Sequence, residues 1–426
     1  MGIEAEGFNV EKTSFQMFMQ DLEGKLALIT GAGGLTPVDT EGAPYSFGLE
    51  EVRRPMLVLG LPGIGKTCGI RGIIEKLNAT LPDERKLGFK KTLLGQTVVG
   101  SMEGIPVVNP ATGKTVRVQI PDLPDPERDG EYGVYFLDEI TTADEAQVQP
   151  ALGLTDDSRN IGEYQLPEHW VVVAAGNGDD CANFVELHDM TINRFNVYDI
   201  AYDYAHDWKP WALNHKIDEM IVAFLNFAPE TCVRVESSDL DKAGKQFPSP
   251  RSWTRLSSEL EIRKAMGREV TESELPAFCS RIIGSKAAHE FAAFCAFKSK
   301  VNYRADAICN GTERDPENMQ EEVFHIILEQ TMKFLTANVK CTSEKDASDD
   351  DVKYVGEAIK WFTKFEYFDT EKTINAIVEI TRLGRDGLFG KIAISNPKYL
   401  ARYTEYDTFL DKHFDAIAEV LSDYAV

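Results

Sequence analysis

Residues Gly60-Leu61-Pro62-Gly63-Ile64-Gly65-Lys66-Thr67 spell a complete G-x-x-x-x-G-K-T string. Its glycines let the backbone wrap so that successive N–H groups point inward at phosphate oxygens. The helix that follows adds the positive end of its dipole. Lys66 is suited to neutralise the charge of β- and γ-phosphates, and Thr67 to place its hydroxyl on Mg²⁺. The expected nucleotide-binding set is Gly60, Leu61, Pro62, Gly63, Ile64, Gly65, Lys66, Thr67 and Cys68. The string follows an apolar run, Met56–Leu59, and precedes a helical pattern of Ile70, Ile73, Ile74 and Leu77, which is the context this chemistry needs.

A second constellation is Val134-Tyr135-Phe136-Leu137-Asp138-Glu139. An apolar strand ending in Asp-Glu brings two carboxylates to the carboxyl edge of a sheet, where α/β folds bind ligands. Asp138 can hold Mg²⁺ through its water shell, with Thr67 as the other metal-side residue. Glu139 can polarise a water for in-line attack on the γ-phosphate. Loop and acidic strand end together point to a nucleoside triphosphate hydrolase. Further on, Trp170–Ala175 is an apolar strand ending at Gly176-Asn177, so the Asn177 amide falls beside the Asp-Glu edge and can orient the attacking water. Arg194, in Asn193-Arg194-Phe195, precedes another strand. Arg251, in Pro248-Ser249-Pro250-Arg251-Ser252-Trp253, stands at a helix start.

The segments that must position these residues differ in periodicity between the two halves of the chain. Between Pro55 and Asp203 short apolar runs alternate with longer mixed segments, the signature of an α/β domain with a parallel sheet. Met56–Leu59, Lys91–Leu94, Val134–Leu137, Trp170–Ala174 and Val197–Ala201 are nearly continuous in apolarity, as expected of strands covered on both faces. Residues 1–50 read as a lead-in, with a helix near Phe15–Leu28 and a Gly- and Pro-rich stretch through Gly48. Beyond Asp203 the spacing is helical. Ile217, Met220, Ile221, Phe224 and Leu225 form one stripe; Trp253, Leu256 and Leu260 another; Phe324, Ile327, Leu328, Met332 and Leu335 a third. Ile374, Ile377 and Leu383 run up to a helix stop at Gly384, and Phe409, Leu410, Phe414, Ile417 and Leu421 close the chain. All are expected to be packed core. Ser343–Asp351 lacks a large apolar residue and is expected to be a solvated loop.

In this order and spacing the motifs resemble those of the AAA+ ATPases, most of all the MoxR family, over roughly residues 50–265. Gly104–Val108 and Val116–Ile120 flank the turn-rich Asn109–Lys114 and read as a β-hairpin, matching the insert in helix 2 that marks this clade. Asn160–Leu166 resembles the family's hairpin before sensor 1. The resemblance implies a P-loop AAA+ α/β core with a parallel five-stranded sheet (51–205) and an all-α lid (206–300), and the helical spacing beyond it gives an additional C-terminal helical region (301–426) that matches no family pattern. It implies ATP and Mg²⁺ as cofactors. It also implies catalytic roles for Glu139, for Asn177 as sensor 1, for Arg194 as the finger offered to a neighbouring subunit, and for Arg251 as sensor 2. The implied assembly is a homo-oligomeric ring, a hexamer, that remodels a partner protein such as a von Willebrand factor A protein. Two departures stand out. Thr141-Thr142-Ala143 replaces the family's Asn-Arg-Ala, which puts a subunit contact through that arginine in question, and Pro150 interrupts the helix that follows. The choice of ATP over GTP, the client, the ring stoichiometry, the role of residues 301–426 and whether Arg251 acts in cis or in trans stay open.

The 426 residues carry 45 Lys plus Arg against 69 Asp plus Glu, a net charge of −24. Such a field opposes nonspecific binding to nucleic acid or anionic membrane. It counts against one alternative, a McrB-like GTP-dependent motor working with a nuclease on DNA. The other alternative, an ATP-gated assembly switch with little turnover, has little use for Glu139, Asn177 and Arg194. Seven cysteines without a C-x-x-C pair suit reduced, mostly buried thiols. The apolar runs fall short of the roughly 20 residues of a membrane span, and the N-terminus is acidic where a secretory signal is basic and then apolar. The expectation is a cytoplasmic chain without a membrane partner. His289-Glu290 opens like H-E-x-x-H, but Ala293 holds the fifth position, so His289 is expected to be an ordinary helix residue. Leu26–Gly34 resembles the opening of a dinucleotide-binding dehydrogenase. Thr36 replaces the third glycine and no Tyr-x-x-x-Lys occurs, so a glycine-rich loop is expected.

Overall fold

Parallel strands without hairpins must be covered on both faces, and the central strands of this chain meet that demand. The computed structural model describes residues 11–32, 48–98, 100, 102–118, 122–178, 187–233, 246–384, 387–403, 409 and 412–413. The main sheet comprises β1 (Lys12–Thr13), β2 (Met56–Leu59), β3 (Leu87–Leu93), β6 (Tyr132–Asp138), β9 (His169–Gly176) and β10 (Asn196–Ile200). Their order is β1-β10-β2-β9-β6-β3, and every pairing is parallel. The expected five strands are thus six, because Lys12–Thr13 of the lead-in adds an edge strand beside β10. All four residues of β2 are fully buried, as are Val134–Leu137 of β6. The outer strand β3 begins at Leu87, four residues before the apolar run at Lys91. It is half-covered, so its polar residues mask it in the sequence. Trp170 lies across β6 and β3: a Cβ on Gly133 would come within 2.7 Å of its ring and one on Gly88 within 3.1 Å.

Two antiparallel hairpins stand apart from this sheet. β4 (Ile105–Val108) pairs with β5 (Thr115–Val118), Ile105 opposite Val118, and every residue of both strands is exposed. The sequence-expected hairpin extends to Ile120, and its last two residues lie outside the described set. β7 (Asn160–Ile161) pairs with β8 (Tyr164–Gln165), as expected.

The described residues form two compact units, one ending at Asp203 and the other beginning at Tyr204. In the first, the helix Phe15–Thr30 is capped by Ser14, whose hydroxyl accepts the Met17 N–H, and stops at Gly31 (φ 69°). It buries Phe18, Leu22 and Leu26. Its residues Phe15 and Met19 press on Gly69, where a Cβ would meet them at 2.8–3.0 Å. The lead-in therefore packs directly on the helix that follows the phosphate-loop string.

The second unit is helical. The stripes on Glu219–Phe227, Pro250–Ala265, Glu321–Asn338 and Thr370–Arg382 bury Met220, Ile221, Phe224, Leu225, Trp253, Leu256, Phe324, Ile327, Leu328, Met332, Leu335, Ile374 and Ile377. The last of these helices ends at the expected stop, with Gly384 at φ 81°. His289 is a residue of the helix Ser285–Cys295, its Nδ1 2.7 Å from the Ser285 carbonyl. The run Ser343–Asp351 is a loop through Ser348, as expected, but its end turns into a helix. Ser348 caps a helix, Asp349–Thr363, in a reciprocal capping box with Asp351, and Asp351 is buried and accepts the Lys340 N–H at 2.8 Å. An acidic first turn is what a helix dipole favours, so the charge run marks a helix start. Pro150 is also carried inside a helix, Glu145–Leu152. It lies in the last turn, where only one helical bond is forfeited. Gly33–Pro37, Cys181, Leu410, Phe414, Ile417 and Leu421 lie outside the described residues.

Candidate functional site

The phosphate-loop string joins β2 to the helix Lys66–Asn78. Ile64, 4% exposed, anchors it in the core, and a Cβ on Gly60 would meet Ile64 at 3.0 Å and Ile200 at 3.2 Å. Gly63 (φ 85°) and Gly65 (φ 105°) take the left-handed conformations that only glycine adopts without strain. A Cβ on Gly65 would project into open space, so conformation selects glycine there. Lys66 opens the helix and its Nζ donates to the carbonyls of Gly60 (2.7 Å) and Leu61 (3.2 Å), which keeps the ammonium inside the loop. Leu61 and Pro62 form the half-exposed crest of the loop; Thr67 is the helix's second residue and Cys68, exposed, its third. A cradle of glycines at positive φ with an ammonium folded into it fits a polyphosphate.

At the same edge of the sheet, β6 ends on Asp138, and Glu139 follows. Glu139 is exposed and left-handed (φ 61°, ψ 33°), a conformation that costs a non-glycine residue on the order of 1–2 kcal/mol. Three hydrogen bonds hold it. Its N–H donates to Asp138 Oδ1 (3.0 Å), and its carbonyl accepts from both the N–H and the hydroxyl of Thr142 (3.0 Å each). Asp138 is not free: Lys91 Nζ of β3 lies 2.6 Å from its Oδ2. Gly95, just beyond β3, lies close under the same turn, where a Cβ would come within 3.1 Å of Thr142 Oγ1.

Asn177 directly follows β9, the strand between β2 and β6. Its backbone N–H donates to Thr141 Oγ1 at 2.8 Å. The phosphate loop, Asp138–Glu139 and Asn177 therefore share the carboxyl edge of three adjacent strands. Thr67 and Asp138 are the residues at that edge able to hold a Mg²⁺.

Arg194 is not at that edge. It precedes β10, whose first residue pairs with Met56, the first of β2. The sheet is parallel, so Arg194 sits at the amino edge, about four strand residues or ~13 Å from the loop. There its Nη1 donates to Asp156 Oδ1 (2.5 Å) and to the Leu152 carbonyl (3.0 Å). Arg251 belongs to the helical unit, as the exposed second residue of Pro250–Ala265, whose capping box is formed by Ser249 and Ser252. Sequence reasoning missed Lys91, Thr141 and Asp156. A threonine two residues after Glu139 and a lysine opening an expected strand were the available signal, but their partners come from other strands.

No protein-family model matches the chain, and no curated protein matches it. Among solved structures, the FIGL-1 AAA domain in complex with ADP aligns at 14% identity over 70% of this chain and 94% of that one, with a TM-score of 0.31. Cdc6p from Pyrobaculum aerophilum aligns at 12% identity over 65% and 69%, with a TM-score of 0.34. A mutant of RuvB from Thermotoga maritima aligns at 15% identity over 70% and 80%, with a TM-score of 0.30. Scores of this size carry no weight beside the geometry. The sheet order, the loop after β2 and the acidic end of β6 define the class: an α/β domain with a parallel sheet and a phosphate loop, continued by helices.

Proposed function

We propose that this chain is an ATP hydrolase of the AAA+ type, similar to the MoxR family, which forms a homo-oligomeric ring, a hexamer, and remodels a partner protein. The observation that carries the reading is the meeting of the phosphate loop, Asp138–Glu139 and Asn177 at one sheet edge. Loop amides and Lys66 bind the β- and γ-phosphates. Thr67 and Asp138 hold a Mg²⁺, which neutralises charge on the phosphates when bound. Glu139 takes a proton from the attacking water, and the Asn177 amide orients that water.

Arg194, which precedes β10 at the amino edge of the sheet, is read as the finger offered to a neighbouring subunit. A finger supplied in trans contributes about 10³–10⁵ in rate. Arg251 acts as sensor 2 from a lid of residues 206–300, and residues 301–426 form a further helical region. A von Willebrand factor A protein is the proposed client and the cytoplasm the proposed location. Among the described residues no helix is long and apolar enough to cross a membrane.

The test compares Glu139→Gln with Lys66→Ala. Glu139→Gln should retain ATP and Mg²⁺ binding, lose hydrolysis by several orders of magnitude, and assemble into a closed ring with Mg·ATP, read by solution mass. Lys66→Ala should lose binding itself. Equal loss of binding in both variants contradicts the assigned roles, and a Glu139→Gln protein that binds ATP yet stays monomeric removes Arg194 from catalysis.

A further inference from the structure

The short turn after β6, Glu139 to Thr142, carries two consecutive threonines whose hydroxyls serve different strands. Thr142 Oγ1 donates back to the Glu139 carbonyl and helps hold that residue left-handed. Thr141 is fully buried, and its Oγ1 accepts the Asn177 N–H from the end of β9 at 2.8 Å. The fit is close enough to dictate the neighbouring residue. A Cβ on Gly176 would lie 2.5 Å from Thr141 Cγ2 and 2.7 Å from its Oγ1. The turn is also braced from behind. Gln147 accepts the Asp144 N–H at 2.8 Å and donates to the Thr97 carbonyl at 2.7 Å, tying the helix after the turn to the segment after β3.

We propose that Thr141 is a positioning residue that fixes the Asn177 amide relative to the Glu139 carboxylate, so that both address one water. The proposal rests on the hydrolase reading above. Thr141 is fully buried and acts through the backbone of Asn177. Misplacing a group by about 1 Å costs on the order of 10²-fold in rate when geometry is the source of catalysis. Thr141 belongs to the turn after β6 and not to the loop after β2 that binds the phosphates, so ground-state binding should be spared.

The experiment is steady-state ATP hydrolysis by the full chain with Thr141→Val, Thr141→Ser, Asn177→Ala and the Thr141→Val/Asn177→Ala pair, beside the unmodified protein and Glu139→Gln. Thr141→Val keeps the shape and removes the acceptor. It should lower kcat by roughly 10- to 100-fold while KM stays within about threefold. Thr141→Ser should recover most of that kcat. On the Asn177→Ala background the valine should cost nothing further, because the two residues act as one unit. Wild-type kcat in Thr141→Val, an equal rise in KM, or full additivity in the double variant overturns the proposal. If Thr141→Val does not fold, Thr141→Ser decides, since a loss as deep as that of Asn177→Ala despite its hydroxyl overturns it equally. Failure of the underlying reading shows elsewhere: the unmodified chain and Glu139→Gln would then be equally inactive, and the role of Thr141 would fall with the reaction.

Discussion

Lys91 offers the sharpest test of how Asp138 meets a cation. Its Nζ is 2.6 Å from Asp138 Oδ2, with side-chain exposures of 30% and 19%. A charge-assisted hydrogen bond contributes about 1.5–3 kcal/mol, and partial exposure trims this toward 1–2 kcal/mol through solvent screening. A Mg²⁺ drawn to Asp138 through its water shell must displace that ammonium or tolerate a positive charge beside it. Lys91→Met keeps the aliphatic stem and deletes the charge. Removing 1–2 kcal/mol of competition corresponds to about a 5- to 30-fold shift. The midpoint of Mg²⁺ dependence, measured at saturating ATP by hydrolysis and by binding of a fluorescent nucleotide, should therefore fall by about that factor. The shift should shrink as ionic strength rises. An unchanged or higher Mg²⁺ midpoint in Lys91→Met would refute the idea that the lysine competes for Asp138. A rise in KM for ATP alone would instead mean that Lys91 contacts the nucleotide.

Other outcomes follow from groups outside that edge. On the proposed finger reading Arg194 leaves Asp156 to reach a neighbour, and the pair is partly exposed, worth about 0.2–1 kcal/mol. Asp156→Ala should then raise turnover up to about fivefold at low protein concentration, where assembly limits the rate; a fall would mean that Asp156 orients the finger instead of restraining it. In the helical unit, Glu329 is buried and accepts a hydrogen bond from Asn226. Burial pushes its carboxyl up to about 8, against the opposing pull of Lys209 and with a further push from Glu379 and Glu219. Its folded-state value exceeds the unfolded one, so its favourable contribution is complete at acidic pH and lost as pH rises through about 8. Glu329→Gln, a mimic of the neutral form, should match the unmodified protein in thermal midpoint at about pH 4 and below, exceed it increasingly as pH rises from about 4.5 to about 8, and level off above that. Parallel pH profiles for the two proteins would show that Glu329 does not titrate in this window.

The parts of this molecule that were legible in its sequence are those encoded within a few consecutive residues. Met56–Leu59, the G-x-x-x-x-G-K-T string and the acidic end of β6 each carry their own pattern, because a buried strand, a left-handed glycine and a strand-end carboxylate are local requirements. Local patterns could also mislead. Ser343–Asp351 reads as a solvated run by composition, yet Ser348 and Asp351 spell a capping box at the spacing that a helix start demands. Pairings between distant segments were not legible. Lys91 meets Asp138 because β3 lies beside β6 in register, Leu93 opposite Asp138; Thr141 meets Asn177 because β9 is the next strand over. The same logic gives the threonines their meaning. Against the family pattern Thr141-Thr142 registers as the loss of an arginine, but in the folded chain one hydroxyl holds the Glu139 turn and the other holds the strand that presents Asn177. Where the family pattern has an arginine, this chain has a threonine pair that ties the Glu139 turn to the residue after β9. Its effect should therefore be read in the rate of a single site before it is sought in assembly.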